Sequence, residues 1–496
     1  MSKSKFIYNG ILLTLVGFAM RGVGLFLGAY VSAAIGAEGM GLQGLIATVY
    51  SFAVTFATSG VSLSVTRLVA ASIGEGKSGG DVLRGAFIYA LTFGLTASLI
   101  LFVFADLIGA VILADARVSA ALRILSLSLV PIALSGVISG YFVSVRRVGL
   151  NAAVQIFGQL MRICLTVFLL SRADTGLAGA IRALALGTTV TECACFLLGA
   201  IEFRIDRLIH RAPHEGGVGL DRVARMALPL AFSAYVRAFL LSVEHSLIPK
   251  RLVDRGNSQS EALASYGYLG TMAIPIILFP MTPLSSFSGL LVPEFAECEG
   301  GLKTERMRYM ATVALEKALV YATVVAVFIL TFSEELGYVI YDTYEAGRYI
   351  GLLAPVIPIM YLDHVTDSML KGIGEQVYSM WVNIADSLLS VLLVWVLIPI
   401  FDIYGYALVI ILMECFNFIL SYIRLRRRIS FRLHILGAFI LPLVAALLSV
   451  TVTGWLFDFC GRATTWLWLT AKAVFSASLT VALLILPNLL KRNRGE

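Results

Sequence analysis

The sequence predicts an all-α membrane protein of about fourteen transmembrane helices. Three observations carry that reading. The chain has 496 residues, of which 59% are hydrophobic and only 14% charged, where a soluble domain carries about 25% charged residues. Apolar runs long enough to cross a bilayer, which takes about 20 residues, recur along the whole chain. The loops between them alternate between cation-rich and cation-poor, as cytoplasmic and external loops do.

The runs fall at 6–35, 45–72, 82–105, 119–144, 151–171, 177–202, 222–248, 263–296, 309–332, 347–370, 377–399, 403–423, 433–457 and 464–489, here numbered helix one to helix fourteen. Helix one follows Lys3 and Lys5, like a signal peptide, but it is too long for one. It carries Arg21 and precedes many further spans, so it reads as an uncleaved first helix. With the N-terminus in the cytoplasm, the inner loops hold Lys77 and Arg84; Arg146 and Arg147; Arg204, Arg207 and Arg211; Lys303, Arg306 and Arg308; Lys371; and Arg424, Arg426, Arg427 and Arg428. The tail adds Lys491, Arg492 and Arg494. The outer loops carry Glu38, and Glu334, Glu335, Asp342 and Glu345. This pattern predicts a multi-pass protein of the cell membrane with both termini cytoplasmic. The loop after helix seven, with Lys250, Arg251 and Arg255, breaks the rule. Either it packs against protein or its charges meet a substrate or lipid headgroup.

The net charge of +7 follows from those loops. No basic, aromatic-interleaved domain stands outside the spans, which excludes nucleic acid as a partner. No phosphate-binding glycine loop, zinc-protease or hydrolase motif occurs, and no soluble domain is large enough to hold one. The chain reads as a non-enzyme with no cofactor. The six cysteines lie mostly in apolar runs without metal-ligand spacing, so neither a metal site nor a disulfide framework is expected.

Pro213 and Gly216-Gly217 mark a linker between helices six and seven. The predicted division is 1–203 for helices one to six, 204–221 for a cytoplasmic linker, 222–430 for helices seven to twelve, and 431–496 for helices thirteen and fourteen with the tail. A weak internal repeat supports two six-helix lobes. FAMRGVGLFLGAYV at 18–31 lies on AYVRAFLLSVEHSL at 234–247, pairing Arg21 with Arg237 (offset 216). TECACF at 191–196 lies on MECFNF at 412–417, pairing Glu192 with Glu414 (offset 222). VQIFGQLM at 154–161 lies on VNIADSLL at 382–389, pairing Gln155 with Asn383 (offset 228). Six is even, so the halves share one orientation.

Charges inside spans are the functional candidates, because each costs at least about 2.5–3.5 kcal/mol in the bilayer centre. Arg21, Arg162 and Arg237 are central. Arg67 and Arg182 lie nearer helix ends, where snorkelling to an interface competes with a cavity role. A cavity lined by guanidinium groups suits an anionic ligand, phosphate and pyrophosphate above all. Embedded acids are fewer in the first half (Glu192) than in the second (Glu244, Asp363, Asp367, Asp386, Glu414). They serve either as partners for the arginines or as a site for a coupling cation, sodium or a proton.

Three stretches resemble a known family: RGVGLFLGAYVSAAIGAEGMGLQGLIATVYSFAVTFATSGVSLSVTRLVA from Arg21, VEHSLIPKRL from Val243, and MLKGIGEQ with VNIADSLLSVLLVWVLIPIFDIYGYALV after it. They are similar to the stage V sporulation protein B and polysaccharide-biosynthesis branch of the multidrug/oligosaccharidyl-lipid/polysaccharide (MOP) flippase superfamily. The resemblance implies a V-shaped bundle of two six-helix lobes working by alternating access. It implies an undecaprenyl-pyrophosphate-linked saccharide as cargo, moved from the inner to the outer leaflet, with membrane lipids as the surrounding partners and one chain as the transport unit. Arg21 and Arg67 fall at places comparable to cavity arginines of the lipid II flippase group, and Arg162 and Arg237 complete the expected binding set. Glu244, Asn383 and Asp386 lie in regions comparable to that group's sodium site. The chain departs from the group at SYGYLGTMA, 265–273, and near Gly28, where no arginine stands, so lipid II is not singled out. The alternatives are a multidrug or cation antiporter of the same superfamily, and a non-transporting scaffold in envelope assembly.

Overall fold

Helices one and two run into each other without a loop. The computed structural model describes residues 3–74, 79–145, 147–173, 176–209, 219–300, 304–431, 433–434, 436–460 and 465–493. In it Lys3–Thr58 are helical apart from Gly36, at φ 68° and ψ −177°. Fifty-six residues at 1.5 Å each reach far beyond a hydrocarbon core of about 30 Å, so the break at Gly36 divides two spans. The glycines after it, expected in a turn, are helical instead. They serve close approach: a Cβ on Gly41 would stand 2.0 Å from the Leu263 carbonyl oxygen, and one on Gly267 would stand 2.2 Å from that of Ala37. Helix two breaks again at Ser59 and Gly60, both at positive φ, and resumes as Val61–Gly74.

Eleven helices among the described residues are long and apolar enough to cross a membrane, or up to thirteen if each of two bent pairs is one span. The bent pairs are Ala116–Ser126 with Leu129–Ser144 and, around Pro229, Leu220–Pro229 with Ala234–Asp254. Counting both arms of the first long helix brings the total to the fourteen that hydropathy predicts. Every regular element among the described residues is helical. Pro213, Gly216 and Gly217 of the expected linker lie outside the described residues, as do Lys77, Arg146, Arg211, Lys303 and Arg494.

The chain forms two compact units, Leu42–Val253 and Met1–Gly41 with Asp254–Glu496. These units divide the chain differently from the lobes drawn on the sequence. Helix seven groups with helices two to six, and helix one groups with helices eight to fourteen.

The internal repeat is visible in local geometry. In the turn after helix four, Val145 N–H bonds the Tyr141 carbonyl at 3.0 Å and Arg147 N–H bonds that of Phe142 at 2.8 Å. In the turn after helix ten, Ile373 N–H bonds Met369 at 3.0 Å and Glu375 N–H bonds Leu370 at 2.9 Å. All four residues of one turn map onto the other at an offset of 228, which the sequence gives for the following helix. The residue that leaves each turn is charged and clamps the end of the next helix but one. Arg147 pairs with Asp206, which also accepts from Tyr141 Oη at 2.7 Å. Glu375 accepts from Arg428 Nε at 2.6 Å and Arg424 Nη2 at 2.8 Å. Asp206 and Arg428 are 222 apart, the offset between Glu192 and Glu414 on these same helices. The clamp is thus duplicated with its polarity reversed.

The last two helices are fixed by polar contacts of their own. Ser449 Oγ bonds the Ser476 carbonyl at 2.6 Å. Lys472, 4% exposed, reaches both carboxylate oxygens of Glu335 at 2.7 and 2.8 Å. Glu335 lies in the short helix Ser333–Tyr341, within what the sequence read as an outer loop.

Asp206 and Glu375 are both buried, so removing a partner strands a charge. We expect Asp206→Ala to cost on the order of 2–3 kcal/mol, read as thermal stability in detergent, and Arg147→Asp with Asp206→Arg to restore most of it. Hydrogen bonds from Arg424, then Arg428, hold the Glu375 carboxyl below the usual glutamate range. Its contribution is therefore complete above that range and disappears as pH falls through the depressed value. A stability–pH profile should lose this acid limb in Glu375→Gln.

Candidate functional site

A guanidinium inside a span must meet a protein group, water or a ligand. The four arginines expected to bind substrate separate on that criterion. Arg162 is answered: its Nη2 lies 2.8 Å from Glu192 Oε1, between helices five and six. Tyr50 lies within electrostatic reach of both charges and bonds Ser128. Arg21 is answered by backbone, donating from Nη1 to the Leu278 carbonyl at 2.6 Å. Arg67 and Arg237 are exposed, and neither makes a hydrogen bond or ion pair with any described residue.

Local packing explains these positions. Helix one turns Gly17, Phe18 and Arg21 toward a broken stretch of helix eight. A Cβ on Gly17 would stand 2.9 Å from Thr282 Cγ2, and the Phe18 and Phe279 rings meet edge-on at 5.4 Å. Helix seven packs antiparallel to helix two: Ser242 Oγ bonds the Thr48 carbonyl at 3.1 Å, Phe239 meets Phe52, and Tyr235 meets Phe56. Arg237, between those contacts, points away from them and is exposed.

The residues expected to hold a coupling cation are placed differently. Glu244 is buried and belongs to the unit of helices two to seven. Asn383 turns its amide back onto the Ser379 carbonyl at 2.7 Å. Asp386 keeps company with acids that the sequence left separate. Asp363 of helix ten, Asp386 of helix eleven and Glu414 of helix twelve act on one another electrostatically. Asp363 also bonds Ser421, while its Oδ1 and the Oδ1 of Asn417 are buried with no hydrogen-bond partner among the described residues. Lys371, the nearby cation, is engaged by Asp367 at 2.6 Å. The repeat relates this cluster to the Arg162–Glu192 pair. Glu192 maps onto Glu414, and Arg162 lies one helical turn beyond the counterpart of Asp386. The first half supplies a cation to its glutamate, whereas the second half supplies further acids. No group of three or more His, Cys, Asp or Glu among the described residues is placed to hold a metal ion.

The basic loop after helix seven packs against protein. Lys250 Nζ bonds the Val111 carbonyl at 2.7 Å, and Arg255 bonds the Pro399 carbonyl at 3.2 Å and faces Asp402 at 3.6 Å. Sequence reasoning missed Tyr321 and Tyr361, whose hydroxyls cap the Pro280 and Ile277 carbonyls at 2.6 and 2.8 Å. The proline run of helix eight was the available signal, since prolines disturb the backbone ladder around them.

Solved structures share this repeated, multi-span helical fold. The lipid II flippase MurJ in an inward closed conformation matches with TM-score 0.73 at 14% identity, covering 98% of this chain and all of that one. An inward-facing multidrug resistance MATE family transporter of the MOP superfamily matches with TM-score 0.69 at 18% identity, covering 84% and 98%. The chain belongs to the polysaccharide biosynthesis protein family, whose profile matches residues 6–287; the MatE profile matches 255–396. Stage V sporulation protein B of Bacillus subtilis (strain 168) is 25% identical over 428 residues, 83% of this chain and 82% of that protein. The protein is therefore a multi-pass flippase or transporter of the MOP superfamily, in the branch of that sporulation protein.

If Arg162 and Glu192 serve each other, their loss is coupled. Glu192→Gln alone should destabilise the protein, while Arg162→Gln with Glu192→Gln recovers about 1–3 kcal/mol relative to additivity, measured as a double-mutant cycle of thermal stability.

Proposed function

We propose that the protein flips an undecaprenyl-pyrophosphate-linked saccharide from the inner to the outer leaflet, with Arg67 and Arg237 as ligands of the pyrophosphate and Arg21 as a further candidate headgroup ligand. The single observation that carries this reading is the presence of two exposed guanidiniums within spans, Arg67 and Arg237, with no hydrogen bond or ion pair to a described residue. A charge in that setting is retained at a cost of several kcal/mol, and phosphate oxygens are its best acceptors. Arg162 has an internal partner and plays a supporting part, holding helices five and six together. The similarity to stage V sporulation protein B and the fold of a lipid II flippase support a lipid-linked envelope saccharide over a soluble substrate.

Transport is coupled to protons through Asp363, Asp386 and Glu414. Carboxyls that interact in a membrane interior cannot all stay ionised, so the cluster takes up protons or a cation as conditions change.

Liposome flipping of a fluorescent polyprenyl-pyrophosphate saccharide tests both parts. Arg67→Ala and Arg237→Ala should each lower the rate by on the order of tenfold or more with expression unchanged. Asp363→Asn with Glu414→Gln should leave flipping insensitive to a pH gradient. Normal rates in both arginine variants would falsify the headgroup reading. Wild-type flipping indifferent to a pH gradient would remove the coupling.

A further inference from the structure

Helix eight is continuous to Leu278, tightens to a single 3₁₀ turn over Phe279–Met281, and resumes as Thr282–Gly300. Its sequence forces this. Pro280 and Pro283 carry no N–H, so the carbonyls of Ile276 and Phe279 lose their usual donors four residues on. The Thr282 N–H closes onto Phe279 instead of Leu278. Open carbonyls in a membrane interior need substitutes: Arg21 Nη1 serves Leu278 at 2.6 Å, and the neighbouring carbonyls of Ile277 and Pro280 accept from Tyr361 Oη at 2.8 Å and Tyr321 Oη at 2.6 Å. Tyr361 is fully buried, and its ring stacks on Tyr321 at 6.3 Å.

Helix two carries the corresponding break at Ser59 and Gly60. There the caps are neutral: Ser59 Oγ meets Tyr89 Oη at 2.8 Å and also meets Tyr235 Oη. Each second helix of a half is thus broken within its span, and a residue of the other half's first helix reaches the break. At helix two Tyr235 of helix seven meets the Ser59 side chain while Tyr89 Oη caps the Ser59 carbonyl at 3.3 Å, and at helix eight Arg21 of helix one caps the Leu278 carbonyl. Only the helix-eight break is capped by a charge.

We propose that the break in helix eight is a charge-sensing hinge: Arg21 caps Leu278 until an anionic headgroup draws on the same guanidinium, and the cap then lets go. This rests on the reading of Arg21 as a headgroup ligand. The exchange is favourable because a phosphate adds a full opposite charge and a bidentate acceptor to the guanidinium, where the Leu278 carbonyl offers a single neutral oxygen. Tyr321 and Tyr361 keep their carbonyls throughout, so the hinge loosens at one residue rather than unravelling. Helix two, capped by phenols alone, gives no response.

The test is hydrogen–deuterium exchange on the full chain in nanodiscs with undecaprenyl pyrophosphate or with neutral undecaprenol, alongside a binding measurement for each lipid. The amides of Met281, Thr282 and Leu284 should exchange on the order of tenfold faster with the pyrophosphate, unchanged with undecaprenol, and those of residues 61–64 in helix two should not respond. Arg21→Gln should start fast and gain nothing from the lipid. Tyr361→Phe should exchange faster without lipid yet keep both binding and the lipid response. Pyrophosphate that binds wild type without changing exchange at these amides overturns the hinge alone. An equal response to undecaprenol overturns charge as its trigger. No binding of the pyrophosphate overturns the hinge and the headgroup reading together.

Discussion

Hydrocarbon cannot solvate a charge or an open backbone group, and the polar architecture of this protein follows from that constraint. Lys472 is buried against Glu335 and Asp206 against Arg147, and the half-exposed Arg162 is met by Glu192. The proline-broken stretch of helix eight is closed by an arginine and two tyrosines. Against this background two features stand out. Arg67 and Arg237 have no partner among the described residues, and the acids of helices ten to twelve have one another for company. On these two features rests the proposal of a proton-coupled carrier of an anionic lipid.

The two halves meet the same structural demand with opposite charges. Arg147–Asp206 and Glu375–Arg428 occupy matching positions on matching turns, with the cation and anion exchanged. What the position fixes is a salt bridge that ties a turn to a helix end; which side carries which sign is free. At the centre of each half the freedom has been used differently. The first half neutralises Glu192 with Arg162, and the second adds Asp363 and Asp386 beside Glu414. A duplicated scaffold thereby carries a paired glutamate in one half and a group of neighbouring acids in the other.

Span number, the pairing of halves and the cost of embedded arginines were all legible in the sequence, because each rests on local hydrophobicity or spacing. The loop between helices one and two was not: Gly39, Gly41 and Gly44 look like turn residues, yet only Gly36 leaves the helix, and Gly41 is small because the Leu263 carbonyl lies against it. The fates of the arginines were not legible either. Arg21, Arg67, Arg162 and Arg237 look alike in apolar text, and what separates them is a carbonyl 257 residues away for one and a glutamate on the next helix for another. The clamps escaped notice because a repeat found by similarity scores arginine against glutamate as a mismatch. The acid cluster escaped because its members come from three helices.

The central claim is that Arg67 and Arg237 are retained for a phosphate-bearing lipid. Native mass spectrometry of the protein with undecaprenyl pyrophosphate and phosphatidylglycerol together tests it most directly. The account predicts that wild type selects the pyrophosphate lipid, and that Arg67→Gln with Arg237→Gln loses this adduct while keeping its phosphatidylglycerol adducts. Equal retention of the pyrophosphate lipid by wild type and the double variant would contradict it.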